Sequence, residues 1–428
     1  MKKLTSILVN ICRLVVALTF IFSGFVKSID PLGTKYKIND YLIAIGYPSF
    51  LSDRVGLISS VLLSAIEFTF GIFILLAIKR KIVTKLSFIF MLFMTAIALW
   101  LVIANPIQDC GCFGDAIHLT NGETLIKNII LLASTFVLAI FPLKQPILIS
   151  KANQWIAIYF TIFFILIISF LSLYYLPLFD FRPYYIGQNI HRAMEVPKGA
   201  KQPKYKTTFI CEKDGIKKEF NEKTYPYNDT TWHFIDTKQE LLEKGYEPPI
   251  TNFSVTDINS GLDVTNSIIN RRGYTFLLIS SHLEKAKDDN FGTINAIYDY
   301  AKHYGYAFYC LTASTETGIN NWKKNTGAEY AFYNVDDITL KTIIRSNPGL
   351  LLLHNGIIIN KWSNNNLPEL DILDPPISVL SIGHISESNT WFKIIFFYVI
   401  PLFVFIFIDR YWVLITRNKK CKKAIERK

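Results

Sequence analysis

Apolar positions follow two regimes along this chain. In the first, apolar runs of roughly 19 to 24 residues recur with few charges, each long enough at about 1.5 Å per residue to cross a hydrocarbon core of about 30 Å. Six are read, at about 5–26, 55–78, 83–104, 124–142, 154–176 and 391–409. In the second regime, from about 180 to 390, polarity is mixed and the periods are short. "TTFICEKDGIKKEF" alternates around Asp214-Gly215, which predicts a hairpin. "EPPITNFSVTDINSGLDVTNSII" predicts a lead-in strand and a short helix, "YTFLLIS" a buried strand, and 284–304 a helix ending before Gly305. Then come the strand "YAFYCLTAS", a short helix around 318–326, the strand "YAFYNV" and the helix "DDITLKTIIRS". In "NPGLLLLHNGIIINKW", Pro348 opens two strands that Asn355-Gly356 joins. The fold class expected is an α-helical membrane bundle, four helices plus two further spans, with an α/β domain before the last span.

Charge orients this bundle. The link after the second span carries Lys79, Arg80, Lys81 and Lys85, and that after the fourth carries Lys144 and Lys151. The tail carries Arg417, Lys419, Lys420, Lys422, Lys423, Arg427 and Lys428. Basic residues favour the inner side. Both termini are therefore expected in the cytoplasm, with the 27–54 loop, the loop around residue 110 and the large domain outside. The six runs make a lipid bilayer the expected partner, and the net charge of +11 is then mostly a matter of topology: it gives no ground for nucleic-acid binding, although the tail suits anionic lipid. The first run is read as a retained helix, because "FSGFVKSID" lacks a small-residue cleavage pattern and Arg13 interrupts the apolar core. Arg13 is expected to snorkel to the inner headgroups. "DFRPYYIGQNIHRAMEVPKGAKQPKYK" reads as an extended segment along the outer face, with Tyr184 and Tyr185 at the interface.

Compartment sorts the six cysteines. Cys12 lies in the first span and Cys421 in the tail, leaving Cys110, Cys112, Cys211 and Cys310 outside, where disulfides persist. Four outer cysteines allow three pairings. "QDCGCFGDAIHLTNGE" is the notable stretch. A disulfide across one residue closes a very small ring, which makes it easily reduced, and Gly111 removes the Cβ that would obstruct the turn. Asp109 and Asp115 would oppose a thiolate there, while the amino end of a helix starting near Thr120 would favour one. A structural staple, a metal site with His118 and two unrelated thiols remain alternatives to redox chemistry. Glu67, mid-span in "LLSAIEFTFGIFILL", must face the bundle interior, be protonated or find a partner, with Lys27 and Arg13 the candidates. It reads either as a proton relay or polar cavity beneath the CGC loop, or as a packing hydrogen bond. No metal spacing, Walker loop, GxSxG or GxGxxG occurs in a supporting context, so no cofactor is identified.

"FSGFVKSIDPLGTKYKINDYL", "DCGCFGDAIHLTNGETLIKNIILL" and "LPLFDFRPYYIGQNI" resemble the DoxX-like membrane proteins of Bacteroidetes that carry a MauE-type domain, which is implicated in maturing the disulfide-rich small subunit of methylamine dehydrogenase. The resemblance implies extracytoplasmic thiol chemistry, or maturation of an exported protein partner, at a bacterial inner membrane. Four helices with an outer cysteine pair are also similar to vitamin K epoxide reductases, but no second CxxC or CxC is present here. The order of elements over about 250–365 resembles a thioredoxin fold, with Pro348 where that family usually has a cis proline. Ser280-Ser281-His282-Leu283 stands where its CxxC would be; a hydroxyl cannot exchange disulfides, so Ser281, His282 and Pro348 are expected to bind a peptide, and Cys310 to be buried and inert. The organisation expected is 1–145 as the DoxX/MauE-like module with the CGC loop, 146–180 the fifth span, 181–249 a lead-in with the hairpin, 250–365 the thioredoxin-like domain, 366–390 a linker, and 391–428 the sixth span and basic tail. Cys110 and Cys112 are the candidate redox pair. Two other readings stand beside it: a scaffold without chemistry, and small-molecule transport through the bundle by way of Glu67.

Overall fold

The computed structural model describes residues 2–425 apart from 48, 108–109, 202–203, 214–215, 222–223, 226, 228, 230, 244, 252 and 386–388. Asp109, the hairpin turn Asp214-Gly215, and Arg427 and Lys428 lie outside the described residues, as do the side chains of the tail from Arg417 onward, Cys421 among them. Among the described residues six helices are long and apolar enough to cross a membrane, at Lys3–Ile29, Asp53–Leu76, Arg80–Ala104, Asn121–Ile140, Gln154–Tyr174 and Thr390–Thr416. Five of these fall within three residues of the apolar runs at each end, and the sixth extends seven residues beyond its run, to Thr416.

The bundle is built from α1 (Lys2–Ile29), α2 (Pro31–Ala44), α3 (Ser49–Leu76), α4 (Arg80–Ala104), α5 (Asn121–Ile140) and α6 (Gln154–Tyr174). The α2 helix, which apolar runs alone do not reveal, folds the 27–54 loop onto α3: Pro31 opens it and Asp30 caps it, accepting the Gly33 amide at 2.9 Å. The α1 and α3 backbones touch, since a Cβ on Gly24 would fall 2.3 Å from the Phe68 amide nitrogen and one on Gly71 would fall 2.7 Å from that of Ile21. Without a hydrophobic drive between helices in lipid, such close approach supplies the packing. It also overturns the expected snorkelling of Arg13, which is 7% exposed and donates to the Leu75 carbonyl. That guanidinium satisfies an orphan carbonyl at the end of α3 instead of reaching for headgroups. The fourth span starts where a capping box predicts: Thr120 Oγ1 accepts from the Glu123 amide while Glu123 accepts the Thr120 amide.

After a short α7 (Ile190–Met194), strands β1 (Lys204–Lys213), β2 (Ile216–Asn221) and β3 (His233–Glu243) form an antiparallel sheet in the order β2-β1-β3. The pairing of Lys213 with Ile216 bears out the hairpin. The rest is an α/β unit: β4 (Thr256–Asp257), α8 (Thr265–Ile269), β5 (Tyr274–Ser280), α9 (Phe291–His303), β6 (Ala307–Thr312), α10 (Glu316–Thr326), β7 (Ala331–Asn334), α11 (Asp337–Ile343), β8 (Gly349–His354) and β9 (Ile357–Ser363). Its sheet runs β4-β7-β6-β5-β8-β9, with β5, β6 and β7 parallel, and β8 and β9 antiparallel. Alternate residues of one strand enter different cores: Phe276 and Leu278 pack with Ile297 and Tyr300 of α9, and Leu277 and Ile279 with Leu340 and Ile343 of α11. Asn355 and Gly356, both at positive φ, turn β8 into β9.

Two local expectations change. The helix expected over 284–304 begins only at Phe291, because Leu283–Lys285 is a single 3-10 turn and the Lys287 amide bonds the Asn347 carbonyl. Tyr184, expected at the membrane interface, is 3% exposed in the α/β core against Phe253, and Gly187 and Gln188 pair with Ile358 as an added edge on β9. Burial of its ring outweighs any interfacial preference. The chain returns to the membrane through α12 (Thr390–Ile394), a π-helical turn at Ile395–Val399 and α13 (Ile400–Ile425).

Candidate functional site

The loop between α4 and α5 sets two free cysteines side by side. Cys110 Sγ and Cys112 Sγ are 2.7 Å apart, Cys110 half-buried and Cys112 buried. Gly111 between them has φ +61, in the left-handed region that glycine tolerates, and a Cβ there would press on Lys37 at 3.0 Å. Tyr41 of α2 donates its hydroxyl to the Cys110 carbonyl at 2.6 Å. The two sulfurs are electrically unlike. The hydrogen bond between the two sulfurs pushes Cys110 up, with burial adding to the rise. The same hydrogen bond draws Cys112 down to about 6 despite its burial, helped by Lys127 and Lys27. Asp115, expected to oppose the thiolate, is instead engaged by Arg345 at 3.0 Å.

Beneath Cys112 lies the polar group suspected around Glu67. Lys27 Nζ donates to Glu67 Oε1 at 2.8 Å and Oε2 at 2.7 Å, and to Ser23 Oγ at 3.0 Å. The Ser23 hydroxyl lies 2.6 Å from Glu67 Oε2 and 2.8 Å from the Cys112 carbonyl oxygen. All three side chains are buried, as an ionisable group at membrane depth requires. A cavity of about 20 Å³, enough for one water-sized molecule, is lined by Ser23, Lys27, Glu67, Cys112, Lys127 and Asn128 among others. So Glu67 meets Lys27, not Arg13, and reaches the CGC backbone through one hydroxyl. Ser23 gave no signal as a serine in an apolar helix, and Lys127, whose ammonium lies 4.6 Å from the Phe113 ring, looked like an ordinary helix-start lysine.

The α/β unit contributes a second cluster. Ser280 Oγ donates to Asn347 Oδ1 at 2.7 Å, and Asn347 Nδ2 donates to the His282 carbonyl at 2.9 Å, joining the end of β5 to the loop before Pro348. The Asn347-Pro348 peptide is cis. Ser281 accepts the Ala313 amide through its carbonyl, and His282 Nε2 stands 3.5 Å from Asp337 Oδ1. Cys310 is fully buried, and burial pushes its thiol up, in line with an inert core group. Among the described residues no group of His, Cys, Asp and Glu is arranged to hold a metal.

Residues 5–141 match the family model "Methylamine utilisation protein MauE". The match spans α1 to α5 and takes in Glu67, Cys110 and Cys112; with the six apolar helices it makes the chain a multi-pass membrane protein. Residues 205–244, the antiparallel three-stranded sheet, match "Domain of unknown function (DUF8463)". No curated protein and no solved structure matches the chain.

The asymmetry of the MauE-matching site is directly measurable. A thiol lowered to about 6 gains its reactive thiolate as pH rises through that value. Cys112 in the reduced protein should therefore alkylate at a rate that climbs through pH 6 and levels off by about pH 7, while Cys110 stays slow beyond the ordinary thiol value of about 8.5. A Lys127→Met change should move the Cys112 midpoint upward. Quenched iodoacetamide labelling followed by peptide mass spectrometry separates the two profiles; coincident curves near pH 8.5 would contradict the assignment.

Proposed function

We propose that this protein exchanges thiols and disulfides with exported proteins through Cys110 and Cys112 at the outer face of a bacterial inner membrane. The observation that carries the reading is the unequal pair: adjoining sulfurs, the half-buried one held as a thiol and the buried one favoured as a thiolate. In the oxidised form a partner thiolate attacks Cys110 Sγ, the Cys110–Cys112 bond breaks, and Cys112 departs as the lower-pKa sulfur, which is the better leaving group. A second partner thiolate then attacks the partner sulfur of the mixed disulfide. Cys110 leaves and takes up a proton, and the partner gains the disulfide that the CGC loop loses. Lys27, Glu67 and Ser23 hold the floor of the site, and Glu67 with its cavity is a candidate proton store.

The same reading gives both termini to the cytoplasm and the α/β unit to the periplasm, on the strength of the lysine and arginine asymmetry. A DoxX-like ancestry for the bundle rests on the resemblance already described. The strand order β7-β6-β5-β8-β9 and the neighbourhood of Ser281, His282 and Pro348 support a thioredoxin-like unit with no thiol at the usual CxxC position, suited to binding an extended peptide. That cluster favours one second reading: a peptide-binding scaffold in which the CGC loop does no chemistry.

Differential alkylation of Cys110 and Cys112 across thiol-disulfide buffers decides between them. Exchange chemistry predicts a reversible couple well above about −300 mV, the level below which structural disulfides lie. A pair locked in one state in every buffer leaves the scaffold.

A further inference from the structure

One guanidinium of the α/β unit grips two parts of the MauE-matching region at once. Arg345 Nε lies 2.9 Å from Asp30 Oδ2, and Nη2 lies 3.0 Å from Asp115 Oδ2. Asp30 caps α2, and Asp115 stands three residues beyond Cys112. Tyr36 of α2 faces the same group, its ring centroid 5.4 Å from Arg345 Cζ and 5.3 Å from Lys341 Nζ. On its own side Arg345 Nη1 donates to the Lys341 carbonyl at 2.6 Å, so the group is anchored at the end of α11.

The segment leaving the fifth span is fastened to the same helix end. Arg182 Nη1 donates to the Thr342 carbonyl at 3.0 Å and Lys361 Nζ to that of Ile343 at 2.6 Å, while Asp180 lies between the two cations, 2.7 Å from Arg182 Nε and 2.8 Å from Lys361 Nζ. Three cations thus satisfy three successive carbonyls at the end of α11. Residues 180–182 belong mechanically to the α/β unit. Between that segment, α2 and the CGC loop remains a cavity of about 30 Å³, its wall including Gly111, Lys37, Asp115, Phe181 and Arg182. The α/β unit and its stem thus lie against Gly111 and Asp115, on either side of Cys112 in the CGC loop.

We propose that the α/β unit is a lid, closed on the CGC loop by the Asp30–Arg345–Asp115 clasp, and that a protein partner reaches Cys110 only when the clasp opens. Two features suit the clasp to opening. Asp115 keeps a third of its side chain in water, which can hydrate it on release. Both faces of the β4–β9 sheet are covered by the unit's own helices and loops, so the clasp is not needed to complete a core. The purpose of the lid rests on the exchange reading, but its closure is tested without any exchange.

The test compares two maleimides on the reduced full-length protein in nanodiscs, one small and one linked to a polymer the size of a small protein, with labelling at Cys110 read by mass spectrometry. The variants are Arg345→Gln and Asp115→Asn. The second leaves every residue of the α/β unit in place, and an unchanged limited-proteolysis pattern certifies the fold of both. The lid predicts that each variant speeds the bulky reagent at Cys110 by about tenfold or more, the ratio expected when a closed population is shifted substantially toward open, and the small reagent by less than about threefold. Wild-type rates with the bulky reagent in both folded variants would overturn the proposal. So would equal acceleration of both reagents, which means a distorted loop rather than an uncovered one. A locked redox titration beside a raised bulky-to-small ratio removes the exchange reading and keeps the lid; a reversible titration beside an unchanged ratio does the reverse.

Discussion

On the exchange reading, replacing Cys112 by serine should turn the protein into a trap that holds a disulfide-bearing partner on Cys110, whereas Cys110→Ser should hold nothing. The asymmetry follows from access and leaving-group chemistry. Under that proposal Cys110, the half-buried sulfur, is the one that meets an incoming disulfide or thiolate, and the buried Cys112 is the one that resolves or departs. With Cys112 gone the adduct forms on a partner that arrives as a disulfide: the Cys110 thiolate attacks one partner sulfur, the other leaves as a thiolate, and no second cysteine of the loop displaces the partner from the mixed disulfide. Both single variants should lose exchange by about two orders of magnitude or more, as residues that act as a unit do. Only Cys112→Ser should give a covalent adduct, seen on a non-reducing gel and released by reductant. An adduct on Cys110→Ser of equal yield would reverse the assigned roles, and full exchange in both variants would remove the cysteines from the chemistry altogether.

What could be read along the chain was what local pattern encodes. Apolar runs located the six spans, the start of α5 was placed near Thr120, and the α/β strands fell where alternation and the Asn355-Gly356 turn put them. The Cys110-Gly111-Cys112 spacing and the mid-span Glu67 likewise announced themselves by chemistry out of place. The partners of those groups did not, because each arrives from a distant segment. Ser23 matters only because two glycines let α1 and α3 close on one another, and Arg345 only because the α/β unit lands on α2 and the CGC loop. Asp409 shows the same limit. Counted merely as the end of the sixth apolar run, it accepts the Ser150 amide at 2.7 Å and Asn153 Nδ2 at 2.7 Å, holding the turn that leads into α6. A lone acid at the edge of an apolar run was the available signal.

The Lys27–Glu67 pair should prove more costly to break than to delete. Both side chains are almost wholly out of solvent, 3% and 6% exposed, and the ammonium donates to both carboxylate oxygens. Removing one partner leaves the other charge buried without compensation, which costs about 3–5 kcal/mol, while replacing both by apolar groups of similar size is often close to neutral. Lys27→Met and Glu67→Leu should therefore each lower the unfolding midpoint in detergent sharply, and the double variant should recover most of the loss, giving a large coupling in a double-mutant cycle. The effect should also be felt at the cysteines. The Ser23 hydroxyl carries one proton and faces two acceptors, Glu67 Oε2 and the Cys112 carbonyl. In Glu67→Leu it has only the carbonyl left to serve, which draws the CGC loop down onto α1; Ser23→Ala removes that tie in either background. Loss of the Glu67 charge also lowers Cys112 further, so the comparison is made above about pH 8, where Cys112 is a thiolate in every background; its alkylation there should slow in Glu67→Leu and recover in the Glu67→Leu/Ser23→Ala combination. Stabilities that simply add, with Cys112 reactivity unmoved by either change, would show that the pair packs two helices and has no hold on the loop above it.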